Sequence, residues 1–521
     1  MSSHGSRRDF LADVGRGMLV ASLGPALTCD LGLAQTLALD GADDALDFGA
    51  LEPLVELMQE TPPDALMPLL VKRLADGTDL RTLIAAGALA NARTFGGQDY
   101  TGYHSLMALA PAYQMSRELP QTHQALPVLK VLYRNSARMQ EQGGRENEVL
   151  HLVEAAALPA EVHKGHEGEA LRDATRSGDM DRAERTFAAL AKGPEGEAFN
   201  HLLWAVQDEV DVHRVVLAWR AWALLDLAGK EQAHTLLRQS VRYCVSSERQ
   251  RIDGNGREPG VRTVLPKLMD NYRLLERPHG DRQPDDAWLE QLSQTIYAGG
   301  REQAADAVAA ALADGVAPDC VGEALSLAAN QLVLRDRGRD HDEAGKPKGS
   351  VHGASVGVHA SDAANAWRNI ARVSDARNTA ASLIVGAYHT AGQNKGQHES
   401  PYPLLEDVQK VADQSTDAQT LLGEIDAAIR SNDQARACAL VHRCGELGHA
   451  ERPVFEVLLK YAVSEDGALH AEKYYRTVTE EFATGRKAFR WRHLSALARV
   501  TASEHGFAAP GYQQARELLK V

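Results

Sequence analysis

At 521 residues the chain is long enough for two to four domains' worth of core, or for one extended helical array. Its hydrophobic share of 44% and charged share of 24% are those of an ordinary globular protein, and a net charge of −15 argues against nucleic acid as a partner. Aromatic residues make up only 5% while Ala and Leu abound, which favours helix over sheet.

The first 34 residues read as an address. Ser6-Arg7-Arg8-Asp9-Phe10-Leu11 is a twin-arginine pattern, a weakly apolar run from Gly17 to Leu27 follows, and Gly32-Leu33-Ala34 offers a small-x-small cleavage site. This predicts a signal peptide over 1–34 and export by the twin-arginine machinery to the periplasm or another extracytoplasmic space. That route carries folded proteins, often with a cofactor in place. Cys29 offers an alternative as a lipoprotein cysteine, although Thr28 before it fits that motif poorly. No other run reaches the length of a membrane span.

From about residue 48 onward helix follows helix. LEPLVELMQE, PDALMPLLVKRLADG, LRTLIAAGALANAR, HRVVLAWRAWALLDLAG and DAWLEQLSQTIYAGG all carry apolar residues at three- and four-residue spacing, with Gly or Pro between. The fold class is all-α. Internal similarity then divides the chain. LADGTDLRTLIAAGALANA (74–92) resembles LADGVAPDCVGEALSLAAN (312–330), and the turns RSGD and RSND join two helices in 171–190 and 425–444. FNHLLWAVQDEVDVHRVVLAW (199–219) aligns with FEVLLKYAVSEDGALHAEKYY (455–475). The expectation is two helical-repeat halves, 35–250 and 285–521, joined by a polar, turn-rich linker at 251–284. Stacked as antiparallel helix pairs, they would form two lobes about a pseudo-twofold axis.

Histidines fall into the same alignment. His104 lies opposite His352, His213 opposite His470, and His151 loosely opposite His398. The stretch 350–392 adds His359 and His389 among Ala, Gly, Ser and Val, with His352 and His359 two helical turns apart if that stretch is helical. Neutral imidazole is the commonest ligand for Fe, Zn, Cu and Ni, and facing helices can converge several rings on one ion. His104, His151, His213, His352, His359 and His389 are therefore candidate metal ligands, and iron is the expected ion. Duplicated structural histidines, each bonded to a backbone carbonyl, are the competing explanation. His359 and Lys130 are the catalytic candidates. Lys130 sits in ALPVLKVLYRN, where it would either snorkel to the surface or form a buried amine able to act as a base or be carbamylated. Glu154, three residues after His151, would share its face on a helix. Motifs of zinc proteases, EF-hands and carboxylate-bridged di-iron bundles are absent from the sequence, as is C-x-x-C. Cys244, Cys320, Cys438 and Cys444 read as buried free thiols.

Gly353-Ala354-Ser355-Val356-Gly357 matches the G-x-S-x-G elbow of serine hydrolases, but no hydrophobic strand precedes it. YHSLMALAPAY and VHGASVGVHASDAANAW, far apart in a long helical chain, resemble the histidine segments of the questin oxidase-like family. The resemblance implies an all-helical oxygenase acting on polyketide-derived aromatic or quinone-like small molecules. His104, His352, His359 and His389 are the positions that match. The export signal and the lack of an aromatic-rich segment depart from it. Three function classes stay open: a metal-dependent, oxygenase-like oxidoreductase, a non-catalytic helical-repeat binding scaffold, and a serine hydrolase.

Overall fold

Each run with helical spacing forms a helix, and aspartates start many of them. In the computed structural model, which describes residues 44–157, 166–276, 278–342, 346–412 and 416–521, twenty-three α-helices follow one another. No strand forms among the described residues, where β contacts are confined to isolated bridges such as that of Arg282 with Val316, so the all-α expectation holds. The export signal expected over 1–34, with Cys29, lies outside the described residues.

The first half of the chain supplies α1 (Glu52–Glu60), α2 (Pro63–Ala75), α3 (Leu80–Phe95), α4 (Tyr100–Ser116), α5 (Ala125–Glu141), α6 (Glu167–Arg176), α7 (Met180–Leu190), α8 (Glu195–Val206), α9 (Val212–Ala228) and α10 (Ala233–Asp253). Next comes α11 (Val261–Asn271), so the stretch expected as linker itself contains a helix. The remainder supplies α12 (Asp286–Ala298), α13 (Arg301–Ala313), α14 (Pro318–Leu334), α15 (Val356–Val373), α16 (Ala376–Ala391), α17 (Leu405–Ala412), α18 (Ala418–Arg430), α19 (Gln434–Glu446), α20 (Glu451–Ser464), α21 (His470–Thr484), α22 (Arg490–Glu504) and α23 (Tyr512–Leu519). Residues Leu46–Val521 form one compact unit.

The segments matched in sequence occupy matching elements. Both LADG turns end a helix, with Gly77 at φ +103° and Gly315 at φ +78°, the left-handed conformation that glycine adopts without a Cβ clash. The RSGD and RSND turns join α6 to α7 and α18 to α19. In each, the aspartate (Asp179, Asp433) caps the second helix by accepting a backbone N–H.

Low aromatic content is explained by how the central helices pack. From Leu83 to Phe95 in α3, Cys320 to Leu334 in α14 and Asn378 to Ala391 in α16, every residue is buried. A helix covered on all sides needs small residues on several faces to admit its neighbours, and Ala and Gly provide them. Where α15 meets α14 the approach is backbone to backbone. A Cβ built on Gly357 would lie 2.7 Å from the Val333 backbone nitrogen and 2.8 Å from the Leu332 carbonyl. Among the described residues no helix is long and apolar enough to cross a membrane, and Cys244, Cys320, Cys438 and Cys444 are buried and unpaired.

Because both atoms beside Gly357 are backbone, neither can rotate away. The substitution Gly357→Ala should cost about 1–3 kcal/mol as α15 is forced off α14, read as a lowered urea midpoint with unchanged slope.

Candidate metal centre

Four helices, α4, α9, α15 and α21, pack in a closed ring in that order, and each starts with a histidine near its first turn. His104 is in the second turn of α4, His213 is the second residue of α9, His359 the fourth of α15 and His470 the first of α21. Short polar caps set three of these starts: Asp99 accepts from the Gly102 N–H at 2.7 Å, Asp211 from Arg214 at 2.9 Å and Ser355 from Val358 at 3.4 Å. The fourth start is made by backbone conformation instead, with Ala468 at φ +47° and Leu469 at φ +66°. Two consecutive non-glycine residues in the left-handed region are strained, and the strain delivers His470 into the junction.

There the rings meet. Ring centroids lie 4.9 Å apart for His104 and His213, 5.1 Å for His104 and His470, 5.5 Å for His213 and His359, and 5.0 Å for His359 and His470. Nitrogen atoms of His104, His359 and His470 all fall within 4.8 Å of one another. Two nitrogens bound to one ion at about 2.1 Å can be no more than roughly 4.2 Å apart, so ring shifts of a few tenths of an ångström close the set.

One tautomer is fixed by what surrounds the ring. His104 Nδ1 lies 2.8 Å from the Tyr100 carbonyl, which can only accept, so Nδ1 carries the proton and Nε2 keeps its lone pair. That Nε2 is buried without a hydrogen-bond partner, as is His213 Nε2. His213 presents its Nδ1 to Asp211, 3.7 Å away. The Nε2 atoms of His359 and His470 are 3.1 Å apart. The Ala468 carbonyl acts on His470 from behind but falls short of hydrogen-bond geometry at Nδ1.

Electrostatics keep protons out. Burial pushes His104, His359 and His470 well below the usual imidazole range, and the Lys473 ammonium and the neighbouring rings add to it. Lys473, one turn past His470 on α21, is itself buried. Burial lowers its amine to about 8, against the opposing pull of Asp362 and Glu472, while Arg220 adds to the lowering. Burial alone would raise Asp211, but His213, the Arg214 N–H and the Tyr243 hydroxyl (2.9 Å) together hold it well below the carboxylate range. Tyr103 meets Tyr243 edge-on, with ring centres 5.4 Å apart, and Tyr100 lies against His104 at 4.3 Å between ring centres.

The expected residues divide. His104, His213 and His359 join the cluster. His352 precedes α15, close enough for its charge to act on His359, but it is not among the grouped ligand atoms. Across the ring from His104 stands His359, not the aligned His352. His389 is buried on α16 with Nε2 3.0 Å from the Gln393 amide, outside the group. His151 is exposed on a loop, bonded to the Glu148 carbonyl at 3.1 Å, and Glu154 beside it is not helical, so the expected shared face does not form. Lys130 neither snorkels nor has a free lone pair: its amine donates to the carbonyls of Ala462 (2.8 Å) and Glu465 (2.7 Å) and pairs with Glu472 at 2.6 Å. It fastens the end of α20 and the first turn of α21 to α5, which places His470. Ser355 is a helix cap without a preceding strand, so the hydrolase elbow is not formed. Gly353 and Gly357 face the His470 Cβ and the α14 backbone, so they serve close packing and leave no room for a substrate.

Sequence reasoning passed over His470 as a ligand, and with it Lys473 and Asp211. The signal was present, since Asp99, Asp211 and Ser355 are all cap residues placed two to five positions before a histidine. The chain matches no family model, no curated protein and no solved structure.

His234, His389 and His493 are held down to about 4 by burial, apart from the cluster. A histidine that stays neutral when folded but takes a proton near pH 6.5 when unfolded favours the unfolded chain as pH falls. Stability should therefore be full above about pH 6.5 and decline toward pH 4. The variant His389→Gln should make that decline shallower by about 1.4 kcal/mol per pH unit, measured by urea unfolding across that window.

Proposed function

We propose that this protein is a metal-dependent oxidoreductase, with one ion held by His104, His359 and His470 and with His213 beside it. The observation that carries this reading is the 3.1 Å approach of two neutral imidazole nitrogens, with a third lone pair, fixed by the Tyr100 carbonyl, in the same buried junction. At that distance one ring donates its Nε2–H to the other's Nε2, and a bound cation would take the place of that proton and draw all three nitrogens to one point. The competing explanation, separate structural histidines each satisfied by a carbonyl, fits His151 and leaves the Nε2 atoms of His104 and His213 unaccounted for.

The ligand set favours redox chemistry over a structural ion. Neutral imidazoles leave the ion's positive charge intact, and such sites suit iron, copper or zinc; the resemblance to questin oxidase-like proteins implies an oxygenase, and iron is the ion proposed for it. When bound, the ion would supply a Lewis-acidic and redox centre. The protein's own groups have definable tasks. Asp211 orients His213, Tyr100 fixes His104 by its carbonyl and covers it by its ring, and Lys473 holds a proton within reach of the junction. One side is open, because 16% of the His213 side chain and 35% of that of Asp211 remain accessible. A small organic substrate would approach there. Export by the twin-arginine route belongs to the same proposal, since that route suits a protein loaded with its ion before it crosses.

Elemental analysis of the purified protein should find one metal per chain. His104→Ala, His359→Ala and His470→Ala should each lower metal content at least tenfold and abolish dioxygen uptake with substrate, with the helical circular-dichroism spectrum retained. His151→Ala should change none of these. A metal-free wild type, or triad variants that keep full metal, would overturn the reading.

A further inference from the structure

The four helices that deliver the histidines all point the same end at the junction. Each helix start carries about half a positive charge from its unpaired N–H groups; Asp99 and Asp211 offset it at α4 and α9, while the starts of α15 and α21, capped by a neutral serine and by no side chain, oppose a cation and favour an anion. A second, independent feature points the same way. Lys473 is 2% exposed, and among the described residues its amine has no hydrogen bond or ion pair, while its charge acts on His104, His359 and His470.

The carboxylates nearby are largely committed. Glu472 is paired with Lys130 at 2.6 Å and Glu480 with Arg476 at 2.7 Å. Asp362 accepts from the Thr477 hydroxyl at 2.8 Å through one oxygen, its other oxygen is buried without a hydrogen-bond partner, and it faces Lys473 and Arg220 through their charges. Asp211 alone sets a negative charge beside the rings, and it already accepts from Tyr243 and the Arg214 N–H. A divalent ion on neutral ligands would thus leave the junction with uncompensated positive charge. Buried charge of that kind requires a counter-charge.

We propose that the junction takes an organic oxyanion, a carboxylate or an enolate, as the substrate group that meets the ion, with Lys473 as its second cationic contact. This rests on the metal-centre reading above and names the substrate class for it. The occupant enters from the Asp211–His213 side. The void beyond His470 is a poor alternative, because at about 30 Å³ it is small and Glu465 and Glu504 line it.

Cobalt(II) reports both steps by its visible bands, without any need for turnover. Wild-type protein loaded with cobalt should change its spectrum with acetate and with azide, and should bind acetate at least tenfold more tightly than the neutral isostere acetamide. Lys473→Met should keep one cobalt per chain and weaken acetate at least tenfold, and Lys473→Arg should restore most of the affinity. If Lys473→Met does not fold, the acetate–acetamide comparison on wild type still decides. Cobalt bound with no response to acetate or azide, or with equal response to acetate and acetamide, overturns the oxyanion proposal and leaves the metal centre standing. Failure to bind cobalt overturns both.

Discussion

Desolvation of imidazole is the constraint on which the rest of this structure depends. Two buried rings and one half-buried ring at one junction resist taking a second proton, since the charged form would lose its hydration while facing Lys473 and the starts of the helices. Neutral rings keep lone pairs, and lone pairs brought together make a ligand set. The same burial that destabilises the acid form of the protein is thus what prepares the junction for an ion.

Holding the rings together requires anchoring at the helix starts, and each is anchored by different means. Asp99 and Asp211 cap α4 and α9, and both reach further: Asp99 also binds Arg138 of α5, at 2.6 Å, while Asp211 receives the Tyr243 hydroxyl of α10. Ser355 caps α15, whose position is fixed by Gly357 against α14. The start of α21 lacks a side-chain cap and is strained, and the buried Lys130–Glu472 pair compensates. A buried pair of this kind is weak evidence for net stability, because its desolvation cost rivals its attraction. Its contribution is geometric: one ammonium saturated by two carbonyls and a carboxylate leaves α20, α21 and α5 a single relative placement.

The ring also ties the distant parts of the chain to one another. Going round it, two helices of the first half of the sequence, α4 and α9, are followed by two of the second, α15 and α21. His104 stands across from His359 and His213 across from His470. Neither half alone brings more than two of these rings, so the junction exists only when both are folded together.

Much of this was legible in the residues. Helical periodicity, the LADG and RSGD/RSND turns and the order of matched segments are local properties, set by spacing and by cap chemistry, and they determined the all-α class and the helix pairs. The pairing of His213 with His470 was visible for the same reason. What the sequence could not decide was which histidines share space. The loop between α14 and α15 has no counterpart of equal length between α3 and α4, so alignment slid from His359 to His352, seven residues early. His151 and His389 look as suitable as His104 in sequence, yet one ends on an exposed loop and the other on a neighbouring helix. Lys130 and Lys473 both lie in apolar or helical surroundings, and only packing gives the first three acceptors and the second none among the described residues. Periodicity records which face of a helix is buried; what that face meets is set by how helices separated by hundreds of residues close into a ring, and that is a property of the tertiary structure alone.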